Sequence, residues 1–131
     1  MWIFIGLGGV IGSLIRYGVS VLAGQWTYGG YPMATFSVNV VGSFLLALFA
    51  NSFSMKFQKT KYYAGITTGI IGSFTTFSTF SLETVQLIEN NHLFIATIYI
   101  LLSFIFGIGF AYLGRKTGKR LFQANRSLER K

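Results

Sequence analysis

Cysteine is absent from this chain of 131 residues, which excludes disulfides, thiolate metal sites and cysteine nucleophiles. Acidic residues number only three, and there is one histidine. That leaves little for metal binding or for acid–base chemistry, and no nucleophile–base pair or metal set can be assembled, so an enzyme is not expected. Charge of either sign is scarce at 11% of residues, against roughly a quarter in soluble domains. What fills the chain instead is apolar: 52% hydrophobic residues, 14 of the total being phenylalanine, and a mean hydropathy of +0.56. The balance predicts an integral membrane protein with one domain over 1–131.

The net charge of +8 raises the question of nucleic acid, but the cations are not spread over a surface. Seven of the eleven lie in 115–131, after the last apolar run, as expected of a tail at an anionic membrane surface. The N-terminal MWIFIGLGGVIG has no basic leader and no small-residue cleavage site, so it reads as a retained first span.

Four apolar stretches stand out, at about 2–23, 33–53, 62–88 and 93–114. Each is near the roughly 20 residues that a spanning helix needs. No strand-period alternation appears, so the expected class is all-α. The connections are short: an aromatic and glycine-rich loop at 24–32 holding the single proline, a basic loop at 54–61, and a polar turn at 89–92. An even number of spans puts both termini on one side. That side carries Lys56, Lys59, Lys61 and the seven tail cations, while the opposite loops carry no Lys or Arg. The bias predicts cytoplasmic termini. So small a bundle has little interior of its own, and an oligomer is expected.

Three polar constellations interrupt the apolar spans. On the first, Gly8, Gly12 and Arg16 share one helical face. This fits either a glycine packing seam with a snorkelling arginine or a placement of Arg16 at a subunit interface or wet vestibule. On the second, Thr35, Asn39 and Ser43 recur at i, i+4. The Asn39 amide needs partners in hydrocarbon, either on another helix or on a polar permeant. On the third, the run GSFTTFSTFSLET at 72–84 holds seven Ser or Thr and three Phe. Hydroxyls that bond back to carbonyls, after Gly69 and Gly72, predict a bent or broken helix. Such a break is tolerated at membrane depth only inside protein or along a cavity. Hydroxyl and amide donors, with the positive edges of Phe rings, suit a small hydrated anion. A fixed cation, absent from spans two to four, would hold an anion too tightly to conduct it. Glu83 fits an interfacial carboxylate or a vestibule group, and Tyr99 an aromatic belt or a pore hydroxyl.

The motifs GIIGSFTTFSTFSLE (69–83), GGVIGSLIRY (8–17) and TFSVNVVGS (35–43) resemble those of the Fluc, or CrcB, fluoride channels, in order and over nearly the whole chain. The resemblance implies an antiparallel dimer of four-helix subunits with a break in the third helix. It also implies two pores built by both subunits, and passive, fluoride-selective export across the plasma membrane. Fluoride accumulates when HF crosses the membrane and ionises inside. Carried over by position, Asn39, Phe77, Ser78, Thr79, Phe80 and Tyr99 fall on the fluoride pore and Glu83 on its vestibule. Gly8, Gly12 and Arg16 fall on the first-span motif, expected at the interface. Gly72 and Thr75 fall on the break, whose backbone carbonyls hold a structural sodium ion at the dimer centre.

Ser73 stands where that family often has glycine. The charge bias adds a further expectation. An antiparallel homodimer needs one sequence to insert both ways, yet ten cations lie on one side and none in the opposite loops. A heterodimer with an oppositely oriented homologous subunit is therefore expected. The alternative reading, a small proton-coupled multidrug-type transporter, calls for a first-span acid, where this chain has Arg16.

Overall fold

The computed structural model describes residues 1–23, 30–53 and 55–128, without the side chains of Met55, Lys56, Asn125 and Leu128. Most of the expected loop at 24–32 and the cations Arg130 and Lys131 lie outside the described residues. Within them the chain is all-helical, with no strand. Three helices are long and apolar enough to cross a membrane: α1 (Trp2–Ala23), α2 (Met33–Ser52), and a window of the last helix, Leu93–Ala124.

That last helix, α7, runs unbroken from Leu93 to Leu128 over 36 residues. At 1.5 Å per residue it is about 54 Å long, well beyond the ~30 Å of a hydrocarbon core. The basic segment is thus a continuation of the helix. Its Arg, Lys, Leu, Gln and Ala favour helix, and no proline stops it. Gly114 and Gly118 face α2, where an added Cβ would meet the carbonyl oxygens of Phe44 and Leu48, so the contact between these helices reaches beyond the apolar stretch expected at 93–114.

Between α2 and α7 the chain is discontinuous. The short helix α3 (Met55–Gln58) leads to α4 (Lys61–Ala64), which the Thr60 hydroxyl caps by accepting from the Tyr63 N–H at 3.2 Å. A π-helical segment, Gly65–Ile71, follows directly, and then α5 (Gly72–Phe74). At Thr75 the backbone turns extended, with ψ 153°. Helix resumes only as α6 (Ser78–Glu89). The turn into α7 uses Asn91 at φ 60°. Asn tolerates that left-handed region and lets the Asn91 and His92 N–H groups bond back to Ile88 and Leu87.

Two packing regimes hold these pieces. Against α1, the run 65–73 packs through glycine. A Cβ at Gly8 would strike the Gly65 carbonyl oxygen, and one at Gly12 the Ile70 carbonyl oxygen and the Ser73 hydroxyl, while Gly6 and Gly9 face open space. The other regime is a small aromatic core near the α6–α7 turn. Leu87, Ala96 and Tyr99 are buried there beneath Tyr31, Phe36, Phe80 and Ile95. Elsewhere large apolar side chains face outward, among them Trp2, Leu7, Phe94 and Ile108, as expected of helices whose solvent is lipid.

Candidate functional site

The interruption at 75–77 leaves backbone groups without helical partners, and side chains from three elements take them up. Asn39 of α2 makes the closest match. Its Nδ2 donates to the Thr76 carbonyl oxygen at 2.9 Å, and its Oδ1 accepts from the Thr76 N–H at 2.8 Å. One amide thus satisfies both backbone groups of one residue. The Thr75 hydroxyl donates to the Ile71 carbonyl oxygen at 3.2 Å and reaches that of Gly72 at 3.4 Å. Arg16 Nε donates to the Ser73 carbonyl oxygen at 3.2 Å, a cation at the negative end of the first half-helix. No hydrogen bond from the described residues reaches the Thr75 carbonyl oxygen.

The second half-helix begins with its own cap. The Thr76 hydroxyl accepts from the Thr79 N–H at 3.2 Å, donates to Thr79 Oγ1 at 3.0 Å and lies 3.3 Å from Ser78 Oγ. Thr76 was not among the residues expected from the sequence, although a threonine three residues ahead of a helical N–H is a capping signal.

On the open side of the interruption lies a groove of about 390 Å³. Its wall includes Asn39, Ser43, Thr75, Thr76, Phe77 and Phe80, with Ser103 and Gly107 from α7 opposite. Phe77 is 79% exposed, and its ring centroid lies 5.9 Å from that of Phe80. The Ser103 hydroxyl is buried with no hydrogen-bond partner among the described residues. It too went unnamed from the sequence. The signal was available in its spacing, one turn beyond Tyr99 and one before Gly107. Ser43 instead bonds back to the Asn39 carbonyl oxygen at 2.8 Å.

Not every expected pore residue reaches this groove. Tyr99 is fully buried, its ring behind Phe80 at 5.0 Å and edge-on to Tyr31 at 5.4 Å. Its hydroxyl donates to Glu83 Oε2 at 2.8 Å, and Thr35 donates to Glu83 Oε1 at 2.8 Å. Glu83 thereby ties α2, α6 and α7 together, with both oxygens engaged. Tyr31, ahead of α2, keeps a buried hydroxyl without a partner among the described residues, and burial pushes its pKa up. Ser78 and Thr79 stand beside the groove through their contacts with Thr76. Gly8 and Gly12 face the chain's own 65–73 run.

No cluster of His, Asp or Glu able to hold a metal exists among the described residues. The donors suited to a hard monovalent cation are backbone oxygens at the interruption, and the free Thr75 carbonyl and weakly engaged Gly72 carbonyl fit that chemistry.

The family model described as CrcB-like protein, Camphor Resistance (CrcB) matches residues 3–115. A protein of Allorhizobium ampelinum named fluoride-specific ion channel FluC is 39% identical over 121 residues, covering 92% of this chain and 97% of that one. A Bacillus cereus protein named fluoride-specific ion channel FluC 1 is 37% identical over 124 residues, covering 94% and 90%. One of Oceanobacillus iheyensis, also named fluoride-specific ion channel FluC, is 42% identical over 111 residues, covering 82% and 83%.

Proposed function

The chain belongs to the CrcB-like family, and from that premise we propose that it is a fluoride-selective channel subunit through which the anion leaves the cytoplasm passively. The observation that carries the reading is the groove beside 75–77. There, the side chains of Asn39, Ser43, Thr75, Thr76 and Ser103 are set among phenylalanine rings in an otherwise apolar wall that holds no Lys or Arg. Ring edges and hydroxyls offer partial positive charge without trapping the ion. The second Nδ2 hydrogen of Asn39 and the unpartnered Ser103 hydroxyl are the donors left for a permeant.

In this reading the run 61–89 is the third of four crossings, broken at midplane. One chain supplies half of each pore. The exposure of Phe77 at 79% favours a second subunit across the groove, and the antiparallel arrangement yields two pores per dimer. A sodium ion, held by the Gly72 and Thr75 carbonyl oxygens of both subunits, would offset the negative carbonyl end of the first half-helix. Ten cations near one membrane face support cytoplasmic termini and a heterodimer with an oppositely oriented partner in the plasma membrane.

Fluoride- and chloride-electrode efflux from liposomes tests this, with the chain alone and together with its partner. Fluoride flux without chloride flux is expected. Absence of fluoride flux in both preparations overturns the reading. Replacing Phe77 or Phe80 with Ile keeps bulk but removes the ring edge, and fluoride efflux is expected to fall at least tenfold. Protease access to the basic tail in cells reads the orientation; tails on both faces would remove the heterodimer argument.

A further inference from the structure

A second groove lies on the opposite side of the broken run, between α1 and the π-helical segment. It has about 210 Å³ and is walled by Phe4, Leu7, Ile11, Tyr62, Ile66 and Ile70, with glycine backbone at its base. A π turn widens a helix, and such turns gather at functional sites. Here Gly65 and Gly8 let the two backbones touch, so backbone closes the floor and the side chains of both helices form the walls. At one end the Lys61 ammonium stands 4.9 Å over the Phe4 ring and 5.4 Å over the Tyr62 ring. Those two rings meet edge-to-face at 5.2 Å, and Trp2 is 81% exposed on the same helix end. Aromatic rings with a lysine mark the headgroup level of a bilayer. The groove therefore runs from headgroup depth into the hydrocarbon, apolar along its length and cationic at its mouth.

We propose that this groove holds one acyl chain of an acidic phospholipid, with the headgroup phosphate on Lys61. A zwitterionic lipid fills the groove equally well but brings its own cation to the mouth. The charge of Lys61 therefore selects the acidic headgroup, and the apolar wall supplies the rest of the affinity. In the four-crossing topology proposed above, Lys61 shares a membrane face with the other loop and tail cations, the face at which anionic lipids are attracted. The site is independent of whether the chain conducts fluoride.

Native mass spectrometry of the full chain, released from micelles holding equal phosphatidylglycerol and phosphatidylcholine, tests it. The wild-type chain is expected to retain phosphatidylglycerol in preference. Lys61→Ala is expected to lower that preference about fivefold, the ~1 kcal/mol of one lysine at an anionic surface, and Lys61→Arg to keep it. Leu7→Trp fills the groove and is expected to lower retention of both lipids. Equal retention of the two lipids by the wild-type chain overturns the proposal without recourse to any variant. So does an unchanged ratio in Lys61→Ala. Rapid cross-linking of two Leu7→Cys chains in native membranes would seat a second copy in the groove and overturn it as well.

Discussion

The run 61–89 has two faces, and they are built on opposite principles. Toward α1 it withholds side chains: Gly65 and Gly69 meet Gly8, the Ile70 carbonyl meets Gly12, and backbone lies against backbone. Toward the other side it presents them: hydroxyls, an amide partner and two phenylalanine rings border an open groove. Close backbone approach supplies rigidity through van der Waals contact where no chemistry is needed. That rigidity lets the same segment abandon helical hydrogen bonding a few residues later. The difference teaches that the interruption is affordable because the face behind it is fixed.

Substitutions can break this contrast one face at a time. The largest effect is expected from Gly12→Leu, whose branched side chain would enter the Ile70 carbonyl and Ser73. Overpacking against backbone should destabilise by about 3 kcal/mol or more, seen as loss of monodisperse protein on size exclusion. Next comes Asn39→Ala, which strips two hydrogen bonds from Thr76. A loss of about 2 kcal/mol is expected, with fluoride efflux reduced at least tenfold. Efflux at the wild-type rate would show that Thr76 holds the interruption without Asn39. Thr76→Val removes the cap of α6 and should lower stability by about 1 kcal/mol, read as a lower thermal midpoint, while Thr76→Ser retains it. The smallest change is expected from Gly9→Ala, one residue from the seam, where nothing lies within 4 Å. Its stability should stay within about 0.5 kcal/mol of wild type, and a large drop would mean that α1 packs through a face other than that of Gly8 and Gly12.

Much of this was legible in the sequence, and the illegible parts have definite causes. Hydropathy marked α1, α2 and α7, because lipid demands uniform apolar stretches. The hydroxyl-rich run marked the interruption, because Thr75 bonds back one turn as such residues do. The π segment left no trace, since one inserted residue per turn does not disturb an apolar pattern that already runs all round the helix. Hydropathy also placed the end of the last span at 114, yet the helix continues to Leu128. Leaving lipid is not a stop signal; a proline or a C-cap would be. Asn39 was recognised as a residue in need of partners, but which partner it takes depends on how α2 lies against a non-helical backbone. For Tyr99 the sequence leaves an aromatic belt and a pore hydroxyl open, and the structure buries it in the aromatic core with its hydroxyl on Glu83. Spacing along one helix does not reveal a carboxylate on another.

The pairing of Asn39 with Thr76 has a consequence for which residues position 39 accepts. A side chain there must offer a donor and an acceptor side by side, in one plane, at one reach. Aspartate loses the donor when ionised, glutamine carries the amide a methylene too far, and serine or histidine cannot present both groups in that geometry. In a saturation library at position 39, selection on fluoride survival should return one amino acid, whereas selection at Gly9 should return many.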